Sequence, residues 1–318
     1  MADIHYRIRP ADPAAHLFEV TLTVTRPDPE GQVLGLPAWT PGSYMIRDFA
    51  RHIVAMEARR DGAPVALEKL DKQTWRVAPG AGPLSVTYSV YAWDLSVRAA
   101  HLDDTHAYFN GAAVFLSVQG AADQAASVEV LAPDGYAQAW RVSSSMCATE
   151  VDARGFGLYG VADYEELIDH PVEMGTQLSV SFSARGVEHE IALTGRLHPG
   201  TDTRRLAEDM KRICEQHIDL FGGTPPMGRY LFLILVVGDG YGGLEHRASS
   251  SNMCKRDDLP RRGMETPTEG YRNLLGLLSH EYFHSWNIKR IKPAAFVPYD
   301  LNREVYTELL WAFEGITS

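Results

Sequence analysis

Two histidines four residues apart, with a glutamate directly after the first, form the densest concentration of reactive side chains in the sequence: His280-Glu281-Tyr282-Phe283-His284. On a helix this spacing puts both imidazoles on one face, one turn apart, where they supply two corners of a tetrahedral zinc site. Glu281 falls between them and is placed to act as general base on a water at the metal. The helix is indicated independently, because Leu274, Leu275, Leu277 and Leu278 run into the motif at the spacing of a buried stripe. A zinc hydrolase needs a third protein ligand and an open fourth position, and Glu314 is the best candidate. It ends a second helix-like run over residues 303–313, in which Val305, Leu309, Ala312 and Phe313 recur at helical spacing. Twenty-nine residues separate His284 from Glu314, enough for a connecting loop containing Pro293 and Pro298.

The elements that must hold these groups change character along the chain. In the first half Phe18, Val20, Leu22 and Val24 alternate with polar residues, as do Leu84, Val86, Tyr88 and Val90, which predicts half-buried antiparallel strands. Asp61-Gly62 between apolar runs predicts a type I′ hairpin. Further strands are expected over residues 109–118, 127–131, 178–184 and 189–193, giving a sandwich-like arrangement. Beyond residue 198 the period becomes helical: Leu206, Met210, Ile213, His217 and Ile218 predict an amphipathic helix capped near Thr201–Thr203 and ended by Gly222-Gly223. The expected division is therefore an N-terminal β-rich domain, residues 1–195, and a second domain, residues 196–318. The second domain runs from that helix into an apolar strand over 230–237, a glycine-rich stretch over 238–246, and the two helices that carry the candidate ligands. Glycines in that stretch would let a substrate backbone approach an edge strand at Gly243 and Leu244, or would simply form an ordinary glycine-rich turn.

Composition excludes several classes. A chain of 318 residues with 45% hydrophobic residues can bury two cores. Its formal net charge of −11 argues against nucleic acid as a partner, since phosphate contacts require concentrated lysine and arginine. The first ten residues lack the apolar core of a signal peptide, and the longest apolar run, residues 230–237, is too short to span a membrane. Cys147, Cys214 and Cys254 are widely separated, which speaks against a disulfide framework and makes the cytoplasm the expected location. Nothing in the sequence sets the oligomeric state.

Three blocks carry a family resemblance: the Pro-Ala-Trp-Thr-Pro-Gly-Ser-Tyr-Met-Ile-Arg-Asp stretch of residues 37–48, the Gly-Gly-Leu-Glu-His stretch of residues 242–246, and the His-Glu-Tyr-Phe-His-Ser-Trp-Asn-Ile-Lys-Arg stretch of residues 280–290 continuing to Trp-Ala-Phe-Glu-Gly-Ile-Thr at 311–317. Together they resemble the M61 glycyl aminopeptidases, zinc metallopeptidases of the gluzincin group. The resemblance implies an α+β chain, with an antiparallel β-sandwich-like N-terminal domain followed by part of a thermolysin-like catalytic domain. It also implies zinc held by His280, His284 and Glu314, and a chain truncated before the rest of a helical subdomain and any PDZ-like domain. Gly-Leu-Glu is similar to the Gly-x-Met-Glu exopeptidase motif of related aminopeptidases, and by that comparison Glu245 holds the substrate α-ammonium. His246 either donates to a substrate carbonyl or orients the loop. Trp286, Asn287, Lys289 and Arg290 are read as packing and loop-anchoring residues. Trp39, Tyr44, Arg47 and the Asn110-Gly111 pair are read as interface residues ahead of cleft residues. Tyr241 and Tyr306 are candidates for the oxyanion stabiliser by residue type alone.

The expected activity is a zinc aminopeptidase acting on peptides with small N-terminal residues, glycine or alanine by the resemblance. A zinc endopeptidase, a noncatalytic peptide-binding module, and a hydrolase of a nonpeptide ester or epoxide are the alternatives. Glu245 speaks against the first and the retained base Glu281 against the second.

Overall fold

A computed structural model describes residues 2–135 and 139–318. The chain divides into two units: Met1–Val142 with Met146–Gly175 and Asp300–Glu304, and Ser143–Ser145 with Thr176–Tyr299 and Val305–Ser318. The architecture is α+β, mostly strand with few helices. Among the described residues, no helix is long and apolar enough to cross a membrane.

The first unit is built on an eight-stranded sheet, and its alternating sequences explain why. In Leu17–Val24 and Leu84–Tyr91 the residues Phe18, Val20, Leu22, Val24, Leu84, Val86, Tyr88 and Val90 are all buried, and the two strands pair antiparallel from Leu17↔Tyr91 to Val24↔Leu84. One pairing departs from the antiparallel expectation: Ile4–Asp12 runs parallel to Ala126–Val130. Asp61 and Gly62 both have positive φ between the paired Arg60 and Ala63, as a type I′ turn requires. The strand expected over 109–118 is instead broken. Asn110 caps a short helix, Gly111–Val114, by accepting a hydrogen bond from Ala112 N at 3.1 Å, so strand gives way to helix before Ser117–Val118 resumes. Trp39, in the early motif, is buried and donates through Nε1 to the carbonyls of Asp300 and Arg303 within the same unit.

The second unit begins about twenty residues earlier than the sequence suggests. Gln177–Ala184 and Val187–Gly195 form a hairpin, but Val187–Gly195 also pairs in parallel with Arg229–Val237, so both strands belong to the second unit's five-stranded sheet. Arg229–Val237 pairs in turn with Ser249–Lys255, and Gly242–Glu245 lies antiparallel on that strand as the sheet edge. The helix Thr203–Leu220 forms as expected, with Asp202 accepting from Arg205 N at 3.1 Å. It buries Leu206, Met210, Cys214 and Ile218 in one core with Tyr230, Phe232, Ile234 and Val236 of the strand and Tyr271, Leu274, Leu278 and Tyr282 of the helix Glu269–Phe283. Burying each of these side chains contributes roughly 1.5–3 kcal/mol, which fixes the Glu269–Phe283 helix against the sheet. The last helix is shorter than the 303–313 periodicity implies and covers only Leu310–Gly315. Asp300 accepts from Asn302 N, and Thr307 accepts from Leu309 N, local bonds that compete with helix before Leu310. The cysteines are unpaired: Cys214 and Cys254 are buried and Cys147 is exposed.

Candidate metal centre

Three elements of the second unit assemble the site. The helix Glu269–Phe283 starts at Thr268, whose hydroxyl accepts from Tyr271 N, and its regular turns carry His280 and Glu281 to its C-terminal end. His284 is its C-cap and keeps helical geometry, so the two imidazoles lie one turn apart on the same face, edge to face at 4.6 Å. Glu314 comes from Leu310–Gly315 and Glu245 from the edge strand Gly242–Glu245.

Ligand atoms from three of the predicted residues converge. His280 Nε2 and His284 Nε2 are 3.0 Å apart, and Glu314 Oε2 lies 3.4 Å from the first and 3.6 Å from the second. A tetrahedral zinc with bonds of 2.0–2.1 Å needs its ligand atoms separated by about 3.3–3.4 Å, and the observed triangle brackets that value. Orientation fits too. His284 donates through Nδ1 to the Asn287 carbonyl at 2.9 Å, which fixes the tautomer and directs the Nε2 lone pair to the centre. Charge is the third test. Burial pushes the His284 imidazolium pKa down, but Glu245, Glu314 and Glu281 outweigh burial and raise it to about 9. Glu314 is drawn the other way: burial raises its carboxyl, while bonds to His280 and His284 prevail and lower it to about 2. Three carboxylates around two imidazoles demand positive charge at this point, and the donor set suits a divalent cation.

Glu281 is buried, and its position depends on a glycine. A Cβ built on Gly243 would lie 1.9 Å from Glu281 Oε1 and 2.5 Å from its Cδ, so the carboxylate rests directly on the edge-strand backbone. Glu245 is likewise buried, and its carboxylate, that of Glu281 and a His284 nitrogen all lie within 4.8 Å of one another. Glu245 Oε1 has no hydrogen-bond partner among the described residues. The other expected contacts divide. Leu244 is buried at 1% exposure, so its side chain does not face a substrate path. His246 is buried just past the strand, its N–H donating to the Ser249 carbonyl. Tyr241 is exposed, with its hydroxyl pKa raised by burial and then by Glu281. Tyr306 is exposed.

Two features escape a reading of the sequence. Asn287 does more than pack: its carbonyl orients His284, while its side-chain amide donates to Phe313 O at 3.2 Å and Thr317 Oγ1 at 3.0 Å. It thereby links one histidine to the helix bearing Glu314. Ser249–Lys255, to which the edge strand is bonded, is a buried Ser-Ser-Ser-Asn sequence without the alternation that marks a strand. Trp286 and Arg290 behave as expected. The first stacks on Phe221 at 4.7 Å, and the second donates to the Pro226 carbonyl at 2.7 Å.

A buried glutamate following the first of two helical histidines, with a carboxylate from a separate helix converging on both imidazoles, is an arrangement that could hold a metal ion. Residues 5–176 match the Peptidase M61 N-terminal domain, and residues 273–318 match the M61 glycyl aminopeptidase family. A crystal structure of an aminopeptidase N family protein from Idiomarina loihiensis is 42% identical, with a TM-score of 0.96, over 99% of this chain and 53% of that one. The chain belongs to the M61 peptidase family. It spans about half the length of the Idiomarina relative. An M1 zinc metallopeptidase from Deinococcus radiodurans shares the fold at 14% identity and a TM-score of 0.53, over 90% of this chain and 63% of that one. An alanine mutant of it, bound to a Tyr-Ser-Ala substrate, gives a TM-score of 0.52 at 14% identity, with the same coverage. No curated protein matches the chain.

Proposed function

We propose that the chain is the metal-binding part of a zinc aminopeptidase whose catalytic domain is thermolysin-like. The carrying observation is the convergence of His280 Nε2, His284 Nε2 and Glu314 Oε2 at 3.0, 3.4 and 3.6 Å, with buried Glu281 alongside. His280, His284 and Glu314 hold the metal. When bound, zinc supplies a Lewis acid that polarises a carbonyl and lowers the pKa of water. Glu281 takes the proton from the attacking water as the carbonyl carbon is attacked, then delivers it to the departing amine as the C–N bond breaks. The Gly242–Glu245 edge offers main-chain groups along which an extended peptide can lie.

Exopeptidase specificity rests on Glu245. A buried carboxylate oxygen without a partner, near the base and a ligand, is matched by an α-ammonium and opposed by a blocked N-terminus. The preference for glycine or alanine follows the family, and a cytoplasmic location follows the unpaired cysteines. Metal analysis combined with turnover of free and N-acetylated peptides by the full-length protein tests this reading. One zinc per chain and preference for the free peptides are expected. Equal cleavage of both peptide sets would reassign the enzyme as an endopeptidase, and a site lacking two imidazole ligands would remove the metal assignment.

A further inference from the structure

The early motif, residues 37–48, forms one wall of a cavity in the first unit through Ile46, Arg47 and Asp48. That cavity, of about 230 Å³, is lined by the charged or polar residues Arg47, Asp48, Arg51, His52 and Asp94. It is smaller than the ~300–1,000 Å³ clefts that take drug-sized ligands, which restricts an occupant to a small molecule.

The charges in this wall are distributed unusually. The chain holds 41 acidic against 30 basic residues, so carboxylates are plentiful, and Arg7, Arg9, Arg154, Arg185 and Arg204 each hold one. Among the described residues, no carboxylate oxygen lies within 4.0 Å of the Arg47 or Arg51 guanidinium. Arg47 spends Nε and Nη2 on Ser43 Oγ at 3.1 and 2.8 Å, leaving its remaining edge open. Arg51 donates to His52 Nε2 at 3.1 Å. Asp48 is already neutralised by Lys72, 2.6 Å away. Asp94 shares the cavity but has no ion pair among the described residues, although it is near enough to favour the charged forms of Arg47 and His52. The arginine side of the wall is also costly to build. Tyr44 and Asp48, on either side of Arg47, sit at φ of 41° and 52°, a left-handed conformation worth roughly 1–2 kcal/mol of strain for a non-glycine residue. Burial and the neighbouring Arg98 and Arg51 all work against the Arg47 charge, so a bound anion would relieve it.

We propose that this cavity binds a small zwitterionic α-amino acid, its carboxylate on Arg47 and Arg51 and its ammonium on Asp94. A guanidinium fork matches a planar carboxylate, and two of them favour an anionic head group. A simple anion would meet Asp94 and a simple amine would meet the arginines, whereas a zwitterion gives each of Arg47, Arg51 and Asp94 a group of opposite sign. This site lies wholly in the first unit and does not rest on the peptidase reading.

Calorimetric titration of the full chain with glycine tests it, carried out in an E245Q background so that the metal centre offers no ammonium site. Saturable binding at one site is expected, weakened at least tenfold by R47Q and by D94N. Acetate and methylamine at the same concentrations should bind at least tenfold more weakly than glycine. Inorganic phosphate binding that D94N strengthens would show a plain anion site and overturn the proposal. Glycine binding untouched by R47Q, or no glycine binding at all, would do the same. R51Q, at an exposed position, carries the test if R47Q fails to fold, as judged by its thermal unfolding.

Discussion

Replacing Gly243 by alanine isolates the step on which the proposed mechanism turns, because the perturbation is a single methyl aimed at Glu281, the proposed base. Gly243 is not among the residues with positive φ, so alanine can adopt its backbone, and the effect is steric. The new Cβ would lie 1.9 Å from Glu281 Oε1, and an ordinary contact begins at 3.4 Å, so the carboxylate must retreat by about 1.5 Å or the strand must move. A displacement of ~1 Å at a reacting group can cost 10²-fold, and loss of a general base altogether costs ~10²–10⁴. G243A is therefore expected to lower kcat about 10²-fold or more. Overpacking at a buried contact costs roughly 1–3 kcal/mol, which would appear as a modest fall in Tm. The three atoms nearest the new methyl all belong to Glu281, so metal content should stay near parental.

The decisive form of the assay is a double-mutant cycle with E281Q in the full-length protein, measuring kcat, metal content and Tm for all four forms. If G243A acts by displacing the base, it should remove little further activity once the base has been neutralised. Parental kcat in a folded, metal-loaded G243A would refute the assigned position of Glu281. Independent, additive losses would show that the glycine serves substrate approach and not the base.

Alone, E281Q should keep the metal and lose ~10²–10⁴-fold in turnover, measured at matched zinc occupancy. E245Q should reduce kcat/KM for free peptides by one to three orders of magnitude, on the order expected for a buried charge-assisted contact, while N-acetylated peptides scarcely change. N287A removes the donor to Phe313 and Thr317 but leaves the carbonyl facing His284, so competition with a chelator should show ~10–100-fold weaker metal binding with a smaller change in Tm. Stability should depend on His217, whose pKa is lowered to about 4 by burial and whose Nε2 lies 2.9 Å from Ser279 Oγ. Between that value and the unfolded value of 6.5 the unfolded chain binds the extra proton, so stability is full above pH ~6.5 and declines as pH falls towards 4, by about 3 kcal/mol at most. Denaturant unfolding of parent and H217Q across that window should show a steeper slope in the parent, the slope left in H217Q belonging to other histidines whose pKa burial lowers, His101 and His189 among them.

The parts of this arrangement that were legible in the sequence are those in which periodicity and chemistry coincide within one element. The leucine stripe ahead of His280 marks the helix, and the helix sets the spacing of the imidazoles. The alternation in Leu17–Val24 and Leu84–Tyr91 likewise marks strands whose pairing the structure bears out. The domain limit was harder to see, because a hairpin such as Gln177–Gly195 has the same alternation in either unit. Its membership is decided by the parallel pairing of Val187–Gly195 with Arg229–Val237, a contact distant in sequence. Ser249–Lys255 was hidden for a different reason. It is buried, but its polar side chains bond locally and across the sheet, as when Asn252 Nδ2 donates to Leu233 O at 3.1 Å and Ser250 Oγ at 2.9 Å, so no hydrophobic period marks it.

That hidden strand bears on how the site is held. The edge strand pairs with Ser249–Lys255 through Gly243↔Asn252 and Glu245↔Ser250, so two buried polar residues sit directly behind the glycine that receives Glu281 and the carboxylate that faces His284. An apolar strand there would serve the core equally well by burial alone. A buried polar strand is constrained in register, since slipping by one residue would strand the Asn252 amide and the serine hydroxyls without partners, at about 1–3 kcal/mol for each group left unsatisfied. The same one-residue slip would turn Gly243 and Glu245 away from the helix and put Leu244 against Glu281. Register in the edge strand thus sets where Gly243 and Glu245 stand beside Glu281 and His284. Its source is the polar sequence that periodicity analysis passes over.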